Sequence, residues 1–315
     1  MKIAFFGTSD FAVPILEGLA KSSWVPSLVV TTPRAQAGRG LNNTDPPVKL
    51  AAEKFGIPFV QPLTLSPTPE SLQDYELFVI ASYGKILPKE LLKIPEHGSV
   101  NVHPSLLPRW RGASPIQYTI LSGDTETGVT IMLMDELVDH GPILGSSKLA
   151  VSPAATTPIL TKELSHVGSE LLLRVIPGWL DGKIIPEAQN ERDVTTTKIL
   201  KKEDGHVAWE KSAQEIERMV RAFDPWPGAY GFWQHGENQL RLLLVNSEQR
   251  TVNNEERATS SSAPTGTVIR MGEHIGVKTG DGVLVVTRLQ LEGAKELNSE
   301  DFLRGHSSII GTVLS

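Results

Sequence analysis

The sequence contains no cysteine, which excludes disulfide bonds, thiolate catalysis and cysteine-ligated zinc. No apolar run approaches the ~18 residues that a membrane span requires, and the apolar stretch at residues 3–7 is too short for a signal peptide. The formal net charge is −6, so broad attraction to nucleic acid is not expected, and a polyanionic partner would need a local basic patch. We expect a cytoplasmic protein that does not enter a membrane.

Glycines are missing where a dinucleotide-binding protein would need them. The segment Gly7-Thr8-Ser9-Asp10-Phe11-Ala12 follows the first predicted strand, where the G-x-G-x-x-G fingerprint lies in such proteins. It has the first glycine but not the second and third, so the backbone is not shaped to approach a pyrophosphate. Dehydrogenase chemistry is therefore disfavoured, and Gly7 is interpreted as a structural glycine of a strand-to-helix turn.

The composition that is present is that of an ordinary globular protein, with 40% hydrophobic and 21% charged residues in 315, a length sufficient for two domains. Strands alternate with helices in the first half, which predicts a Rossmann-like domain with a mostly parallel sheet. The predicted strands are 2–6, 27–32, 76–82, 99–103 and 127–134; the predicted helices are one from about residue 10, 47–55 and 158–180. Ligands bind at the carboxyl ends of such strands. The residues expected at that rim are Gly7, Tyr83, His103 and 135–139.

The second half has a different pattern. Residues 186–204 are polar and indicate a linker, and Ser212-x-x-Glu215 is a capping box that opens a short helix. Five short strands follow, at 229–233, 239–245, 265–270, 275–279 and 283–291, which favour a small OB-like β-barrel. The predicted organisation is a catalytic domain at 1–188, a linker at 189–205 and a C-terminal domain at 206–315.

The most informative segment lies at residues 101–108. Asn101 and His103 are two apart on a predicted strand, so their side chains share one face. A carboxamide can stabilise negative charge on an oxygen, an imidazole can move a proton near neutral pH, and a carboxylate such as Asp139 can orient it. These parts suit acyl transfer to an amine. Taken alone, Asp139 is equally well explained as a turn residue beside Gly141.

Other segments leave two interpretations open. In Ser105-Leu106-Leu107-Pro108 the leucines fill the domain core or line a cofactor slot. Arg109-Trp110-Arg111-Gly112 binds an anionic group or is a solvated turn. The basic loop from Pro33 to Gly40 is solvated or closes over a substrate. Phe223-Asp224-Pro225-Trp226-Pro227-Gly228 is interpreted first as an interdomain packing corner and second as a binding surface.

Eight segments together resemble the methionyl-tRNA formyltransferase family, a branch of the 10-formyltetrahydrofolate-dependent transferases, over nearly the whole chain. They are Phe6-Gly7-Thr8-x-x-Phe11-Ala12, Ala37-Gly38-Arg39-Gly40, Pro47-Val48-Lys49, Tyr83-Gly84-x-Ile86-Leu87-Pro88, Asn101-Val102-His103-x-Ser105-Leu106-Leu107-Pro108-Arg109-Trp110-Arg111-Gly112, Glu126-Thr127-Gly128-Val129-Thr130-Ile131-Met132, Asp139-x-Gly141 and Arg221-Ala222-Phe223-x-Pro225-Trp226-Pro227-Gly228. The Asn-His-Asp set is common to the wider group, whereas the 101–112 run and the Phe-x-Pro-Trp-Pro corner are narrower signals.

The resemblance implies formyl transfer from (6R)-10-formyltetrahydrofolate to the amine of methionyl initiator tRNA, without a metal. It implies Asn101, His103 and Asp139 as catalytic residues. The implied folate loop is Ser105, Leu106, Leu107 and Pro108. We expect tRNA to contact Arg34 and Arg39 in the basic loop, and Lys201 and Lys202 in the linker. A monomer that uses no membrane is expected.

The sequence departs from the family pattern at three places. Ser9 replaces a usual proline, His140 replaces a threonine, and Leu137-Val138 replaces a usual Gly-Leu. Two alternatives also stay open from the residues themselves. One is a formyltransferase that acts on a different amine, such as an amino-sugar nucleotide; the other is a non-catalytic RNA-binding module built on the β-rich domain.

Overall fold

The structure is a computed structural model that describes residues 1–37, 42–65, 70–250 and 263–315. The chain forms two compact units. The first comprises Met1–Ile116, Thr125–Ser152 and Ile159–Lys198, and the second comprises Gln117–Asp124, Pro153–Pro158 and Ile199–Ser315. The segment predicted as a linker is thus divided, because its residues up to 198 belong to the first unit. Among the described residues, no helix is both long and apolar enough to cross a membrane.

The first unit is built on a seven-stranded sheet with the order β10-β9-β7-β6-β1-β2-β5. Its strands are β1 (Ile3–Gly7), β2 (Leu28–Val30), β5 (Phe59–Val60), β6 (Leu77–Ala81), β7 (Ser99–His103), β9 (Glu126–Leu133) and β10 (Ile143–Ala150). Strands β5, β2, β1, β6 and β7 are parallel. The central strands β1 and β6 are apolar and fully buried, as expected for parallel strands covered on both faces. The Rossmann-like, mostly parallel sheet is confirmed.

Strands β9 and β10 break the parallel pattern. Strand β9 pairs antiparallel with β7, and β10 pairs antiparallel with β9. The carboxyl end of β9, at Leu133, therefore lies opposite Val100 near the start of β7. The reason for expecting residues 135–139 at the carboxyl rim, that they follow a strand, is wrong, since that strand runs the other way. The loop after β9 nevertheless brings Asp139 back to Asn101 and His103. Hydrophobic alternation predicts that a segment is a strand but carries no information on its direction.

The described helices are α1 (Ala12–Ala20), α2 (Pro47–Phe55), α3 (Lys89–Leu92), α4 (Pro115–Ser122), α5 (Thr157–Leu180), α6 (Ala213–Ala222) and α7 (Ser299–Gly305). Helix α5 packs closely on the sheet: a Cβ placed on Gly168 would lie 2.9 Å from Val102 Cγ1 of β7. Because side chains alternate along a strand, Val102 points towards α5 while Asn101 and His103 point to the opposite face. The polar pair is therefore presented away from the long helix.

Two short strand pairs frame loops of the first unit. Strand β3 (Ala35–Ala37), which lies within the basic loop, pairs antiparallel with β4 (Asn42–Thr44). Strand β8 (Arg111–Gly112) pairs in parallel with β11 (Thr196–Thr197), which lies in the segment predicted as a linker. That segment is therefore part of the structure around residue 111.

The second unit contains an antiparallel sheet with the order β12-β13-β16-β15-β14, and β17 pairs with β16. Its strands are β12 (Ala229–His235), β13 (Asn238–Arg250), β14 (Val268–Met271), β15 (His274–Lys278), β16 (Val283–Leu291) and β17 (Leu297–Asn298). Helix α6 begins with the predicted capping box of Ser212 and Glu215. The OB-like fold of this domain is confirmed, although β13 extends five residues beyond its predicted end.

Candidate active site

The structure brings Asn101, His103 and Asp139 together. Asn101 Nδ2 donates to Asp139 Oδ1 at 3.3 Å, and His103 Nδ1 lies 3.5 Å from the same oxygen. The other carboxylate oxygen, Oδ2, accepts a hydrogen bond of 2.8 Å from the backbone N–H of Gly112. Asn101 and His103 are 9% and 4% exposed. The trio is thus a largely buried polar cluster on one face of β7.

The second ring nitrogen of His103 faces the backbone. Its Nε2 lies 3.1 Å from the carbonyl oxygen of Trp110. A carbonyl oxygen and a carboxylate only accept hydrogen bonds, so each ring nitrogen of His103 faces an acceptor. Nδ1 faces Asp139, on the side that Asn101 also borders.

Asp139 is held in an unusual backbone conformation. Its φ is +49°, and the other described non-glycine residues with positive φ are Ser82 at +44° and Trp110 at +61°. Trp110 borders the same cluster, because its carbonyl contacts His103. Left-handed backbone costs about 1–3 kcal/mol in a non-glycine residue and persists where neighbouring structure enforces it. Bonds around the 135–142 loop must therefore hold Asp139 in place.

Gly141 permits the close approach of this loop to β9. A Cβ at Gly141 would lie 1.9 Å from the carbonyl oxygen of Leu133, a contact that no side chain can make. Glycine at this position lets the loop fold back along β9. The loop thereby brings Asp139 to Asn101, although β9 itself ends beside the start of β7. Close approach, and not a positive φ, is what glycine provides here.

The loop predicted to bind folate is secured by a hydrogen bond to Arg109 and by two hydrogen bonds to Thr130 of β9. Ser105 is fully buried, and its hydroxyl donates to the Arg109 carbonyl at 2.6 Å. Thr130 Oγ1 of β9 donates to the Ser105 carbonyl at 2.7 Å and accepts from the N–H of Leu107 at 3.1 Å. Leu107 is buried, whereas Leu106 and Pro108 are half-buried. Leu107 therefore fills the core, and Leu106 and Pro108 have the partly exposed surface of this loop.

A polar network that the sequence reasoning missed supports the same region. Gln189 Nε2 donates to the carbonyls of Asp139 and Gly141, at 2.9 and 2.8 Å. Its Oε1 accepts from Arg111 Nε at 2.9 Å. The Arg111 guanidinium, 7% exposed, also bonds Glu191 with Nη2–Oε1 at 2.7 Å. Arg111 is thus a buried structural cation and not the solvated turn residue or anion ligand that its motif left open.

His140, which departs from the family pattern, lies at the edge of this network. Its Nδ1 is 2.6 Å from Asp135 Oδ2, and its Nε2 is 3.6 Å from Glu191 Oε1. The hydrogen bond from Arg111 holds the pKa of Glu191 below its usual range, helped by the charges of Arg111 and His140. Both ring nitrogens of His140 therefore face carboxylates. The His140 backbone lies between the carbonyls of Asp139 and Gly141, which accept hydrogen bonds from Gln189.

Apolar side chains are exposed on the loops beside the cluster. Ile86 follows β6, and Leu137 and Val138 precede Asp139; their exposed fractions are 92%, 62% and 70%. An ion pair between Lys89 and Glu136 connects the two loops. Exposed apolar surface next to a buried polar cluster is typical of a small-molecule site.

Gly7 and Tyr83 meet at the carboxyl ends of β1 and β6. The N–H of Thr8 donates to the Ser82 carbonyl at 3.1 Å, and its hydroxyl donates to the Tyr83 carbonyl at 2.7 Å. A Cβ at Gly7 would lie 2.9 Å from Ala12 Cβ, so the glycine serves strand–helix packing, as predicted. Burial raises the pKa of Tyr83 to about 12.

The residues predicted to contact tRNA differ in their pairing and in the unit to which they belong. Arg34 pairs with Asp45 through Nε–Oδ1 at 2.5 Å and Nη2–Oδ2 at 2.8 Å, and Asp45 also binds Lys49 at 2.9 Å. The two cations lower the pKa of Asp45 to about 2. Arg39 lies outside the described residues. Lys201 and Lys202 are exposed and belong to the second unit.

The Phe223–Gly228 corner lies in the second unit. Phe223 and Pro227 are buried, and the N–H of Gly228 donates to the Phe223 carbonyl at 2.9 Å. Trp226 is 54% exposed. The corner is thus a packing element that also presents one aromatic ring. Among the described residues, no group of three or more His, Asp or Glu side chains is placed to hold a metal ion.

Comparison with known families defines the class of protein. The family described as formyl transferase matches residues 1–176, and the one described as formyl transferase, C-terminal domain, matches residues 199–307. Together the two matches cover both units. The site described above, with its amide, imidazole and carboxylate, lies in the first of them.

Proteins of similar sequence indicate the branch of the formyl transferase family. The methionyl-tRNA formyltransferase of Myxococcus xanthus is 42% identical over 316 residues, which cover 99% of this chain and 97% of that protein. The methionyl-tRNA formyltransferase of Caldanaerobacter subterraneus subsp. tengcongensis is 36% identical over 319 residues and matches along the full length of both chains. The chain belongs to the methionyl-tRNA formyltransferase branch of the formyl transferase family, and the resemblance seen in its motifs is confirmed.

Solved structures show the same fold at low identity. An N-formyltransferase from Helicobacter canadensis, solved with folinic acid and dTDP-3-aminofucose, has a TM-score of 0.65 at 18% identity and covers 94% of this chain and 100% of that one. HypX from Aquifex aeolicus with tetrahydrofolic acid has a TM-score of 0.62 at 18% identity, covering 99% of this chain and 48% of that chain. At these identities the likeness concerns the fold.

Proposed function

We propose that this protein transfers the formyl group of (6R)-10-formyltetrahydrofolate to the free amine of methionyl initiator tRNA, giving N-formylmethionyl-tRNA for translation initiation. The observation that carries the proposal is the Asn101–His103–Asp139 cluster in a chain 36–42% identical, along its full length, to methionyl-tRNA formyltransferases. Residues 1–188 would form the catalytic domain and 206–315 the tRNA-binding domain. We expect it to act as a monomer in the cytoplasm.

The chemistry requires a neutral amine. An α-amino group has a pKa of about 7.7–8.0, so a large fraction is neutral near pH 7.5 and little base strength is needed. The amine loses a proton as its nitrogen bonds to the formyl carbon. His103 is proposed to accept this proton at Nδ1, the ring nitrogen that faces Asp139. The Asp139 carboxylate stabilises the positive charge that the ring then carries. His103 is proposed to return this proton to the folate nitrogen as the bond between that nitrogen and the formyl carbon breaks, which releases tetrahydrofolate.

Asn101 is proposed to stabilise the formyl oxygen as it gains negative charge. Its NH₂ group has two hydrogens, so a donation to Asp139 leaves a second N–H for the substrate oxygen. A donor that is fixed before the reaction begins costs no reorganisation when charge develops. The bond to Asp139 provides this fixation, and the burial of Asn101 limits competition from water.

The residues around the cluster suit a folate as the formyl donor. A folate combines a flat heteroaromatic ring with an apolar aromatic linker, and the exposed Leu137 and Val138, which directly precede Asp139 in the chain, offer apolar surface. Of the predicted folate loop, Leu106 and Pro108 would contact the ligand with side-chain surface, while Ser105 and Leu107 would shape the loop. When bound, the donor supplies an activated formyl group.

The tRNA would be held by few cations. Arg34 lies at the base of the basic loop that carries Arg39, and Lys201 and Lys202 are exposed cations of the second unit. With a net charge of −6, RNA binding has to rely on such local contacts, and it should weaken steeply as salt rises.

One assay tests the proposal directly. The protein is incubated with 10-formyltetrahydrofolate and, separately, methionyl initiator tRNA, an amino-sugar nucleotide and free methionine, and formylated product is quantified. Product on the methionyl-tRNA alone supports the proposal. Preferential formylation of the amino-sugar nucleotide contradicts it, and tRNA binding without any product would indicate an RNA-binding module.

A further inference from the structure

Residues 187–198, here called the clamp segment, lie between the two loops that carry the polar cluster. At one end, Glu187 exchanges backbone hydrogen bonds of 2.7 and 2.9 Å with Ile143, at the end of the 135–142 loop. At the other end, the Thr195 carbonyl accepts from the N–H of Arg111 at 2.9 Å, and β11 pairs with β8. The clamp segment therefore ties the loop after β7 to the loop after β9.

Gln189 is a side chain of the clamp segment that makes hydrogen bonds to both loops. Its carboxamide donates to the carbonyls of Asp139 and Gly141 and accepts from Arg111. Because a guanidinium can only donate, Arg111 fixes which end of the carboxamide is oxygen and turns its NH₂ towards the two carbonyls. Arg111 is itself held by Glu191. The orientation of Gln189 is thus determined by the segment on which it lies.

These bonds hold the backbone that presents the Asp139 carboxylate. Asp139 has a left-handed φ of +49°, which requires support from its neighbours. Its side chain is anchored by the N–H of Gly112, and its carbonyl by Gln189. Without Gln189 the carbonyls on both sides of His140 lose their donor, and the backbone of Asp139 can relax to an ordinary conformation that turns the carboxylate away from His103.

We propose that Gln189 is a positioning residue for formyl transfer: it acts on the reaction through Asp139 and does not touch either substrate. The kinetic part of this inference rests on the proposed function. Its structural part, that Gln189 sets the position of Asp139, does not. A misplacement of a catalytic group by about 1 Å can reduce turnover ~10²-fold, so a residue outside the substrate contacts is expected to have a large effect on kcat.

The experiment compares Gln189→Met with Asn190→Ala. Methionine has similar length and no hydrogen bonds to offer the two carbonyls, whereas Asn190 is the exposed neighbour on the same segment and bonds only towards Arg192 and Asp193 among the contacts described. For Gln189→Met we expect kcat to fall ~10- to 100-fold with both KM values within about twofold. Asn190→Ala should leave kcat unchanged. A kcat within about twofold of the unchanged protein for Gln189→Met overturns the proposal.

A double substitution separates positioning from general destabilisation. If Gln189 acts through Asp139, Gln189→Met should cost little further kcat in an Asp139→Asn background, since interacting residues are non-additive. Equal losses in both backgrounds, together with a lower melting temperature, would assign Gln189 a merely structural role.

A readout independent of activity distinguishes failure of this inference from failure of the proposed function. The N–H of Gly112 donates to Asp139 Oδ2, so its hydrogen-exchange protection, measured by NMR, reports the position of that carboxylate. We expect Gln189→Met to lower this protection and Asn190→Ala to preserve it. Unaltered protection in Gln189→Met sinks the inference. If the unchanged protein formylates no methionyl-tRNA, the proposed function fails while the exchange result still decides the structural claim.

Discussion

The carboxylate of Asp139 lies 3.5 Å from Nδ1 of His103, although the strands that precede the two residues run in opposite directions. His103 ends β7, whereas β9 ends next to the start of β7. The 135–142 loop covers the difference by folding back along the face of the sheet, with Gly141 against Leu133. The catalytic geometry proposed here therefore depends on a loop path as much as on the sheet.

Loss of Asn101 or His103 should reduce turnover much more than binding. Asn101→Ala is expected to lower kcat ~10²–10³-fold through loss of an oxyanion donor, and His103→Ala ~10²–10⁴-fold through loss of the base. Single-turnover formylation measures the chemical step, and equilibrium binding of each substrate is measured beside it. His166→Ala, which changes an exposed histidine on α5, is the control and should be neutral. Near-full turnover in either site variant would remove its assigned role.

A methyl group at Gly141 should damage both the loop and the activity. The added Cβ of Gly141→Ala would lie 1.9 Å from the Leu133 carbonyl, so the loop must shift away from β9 and carry Asp139 with it. We expect about 1–3 kcal/mol of destabilisation and a ~10²-fold lower kcat, by calorimetry and turnover assay. Gly305→Ala is the matched glycine control, because a Cβ there meets no atom within 4 Å. Equal behaviour of the two variants would contradict the loop path proposed for Asp139.

The sequence was sufficient for most of the architecture and for the shared face of Asn101 and His103, because buried strands, capping residues and the two-residue period of a strand are local signals. Asp139 was joined to them by the resemblance to the formyltransferase family. Strand 99–103 has its predicted bounds, and the Ser212–Glu215 capping box is present. It was not sufficient for what depends on distant pairing. Nothing local shows that β9 is antiparallel, that β10 exists, or that Arg34 is paired with Asp45. Gln189 lies in a polar stretch without a motif, so its role emerges only when both loops are placed.

The capping box of α6 should make stability dependent on pH. Hydrogen bonds from the hydroxyl and backbone of Ser212 lower the pKa of Glu215. A lowered carboxyl pKa in the folded state means that this stabilisation is present above the unfolded value of about 4.3 and is lost as pH falls through the folded value. Ser212→Ala should cost about 1 kcal/mol at pH 7 and less at pH 3.

Calorimetry at the two pH values checks this difference. Gln214→Ala, an exposed position on the same helix, should change stability by no more than about 0.5 kcal/mol. A cost of Ser212→Ala that is the same at both pH values would show that Glu215 does not contribute through its charge.

Arg34 should influence the salt dependence of RNA binding, which reports the number of counterions that binding releases. If it contacts one phosphate, Arg34→Ala lowers the slope of log K against log salt concentration by about 0.7–0.9. The measurement is binding of methionyl initiator tRNA at several salt concentrations. Lys183→Ala removes an equal charge from an exposed ion pair with Asp181, outside the proposed tRNA-binding domain, and should leave the slope unaltered. An unchanged slope in Arg34→Ala would mean that the Arg34 guanidinium stays paired with Asp45 in the complex and contacts no phosphate.

The clamp segment also bears on how such a chain can be recombined or truncated. A junction placed after residue 188, where α5 has ended and the composition turns polar, would keep Asn101, His103 and Asp139 in the upstream fragment and discard Gln189, Glu191 and β11. Chimeras joined there should contain the catalytic side chains but lack the hydrogen bonds from Gln189 and Glu191 that hold the two loops. A junction after residue 198 preserves the catalytic side chains and the hydrogen bonds that hold them. The segment that must be transferred to keep the site intact therefore extends beyond the helices and the main sheet of the first unit.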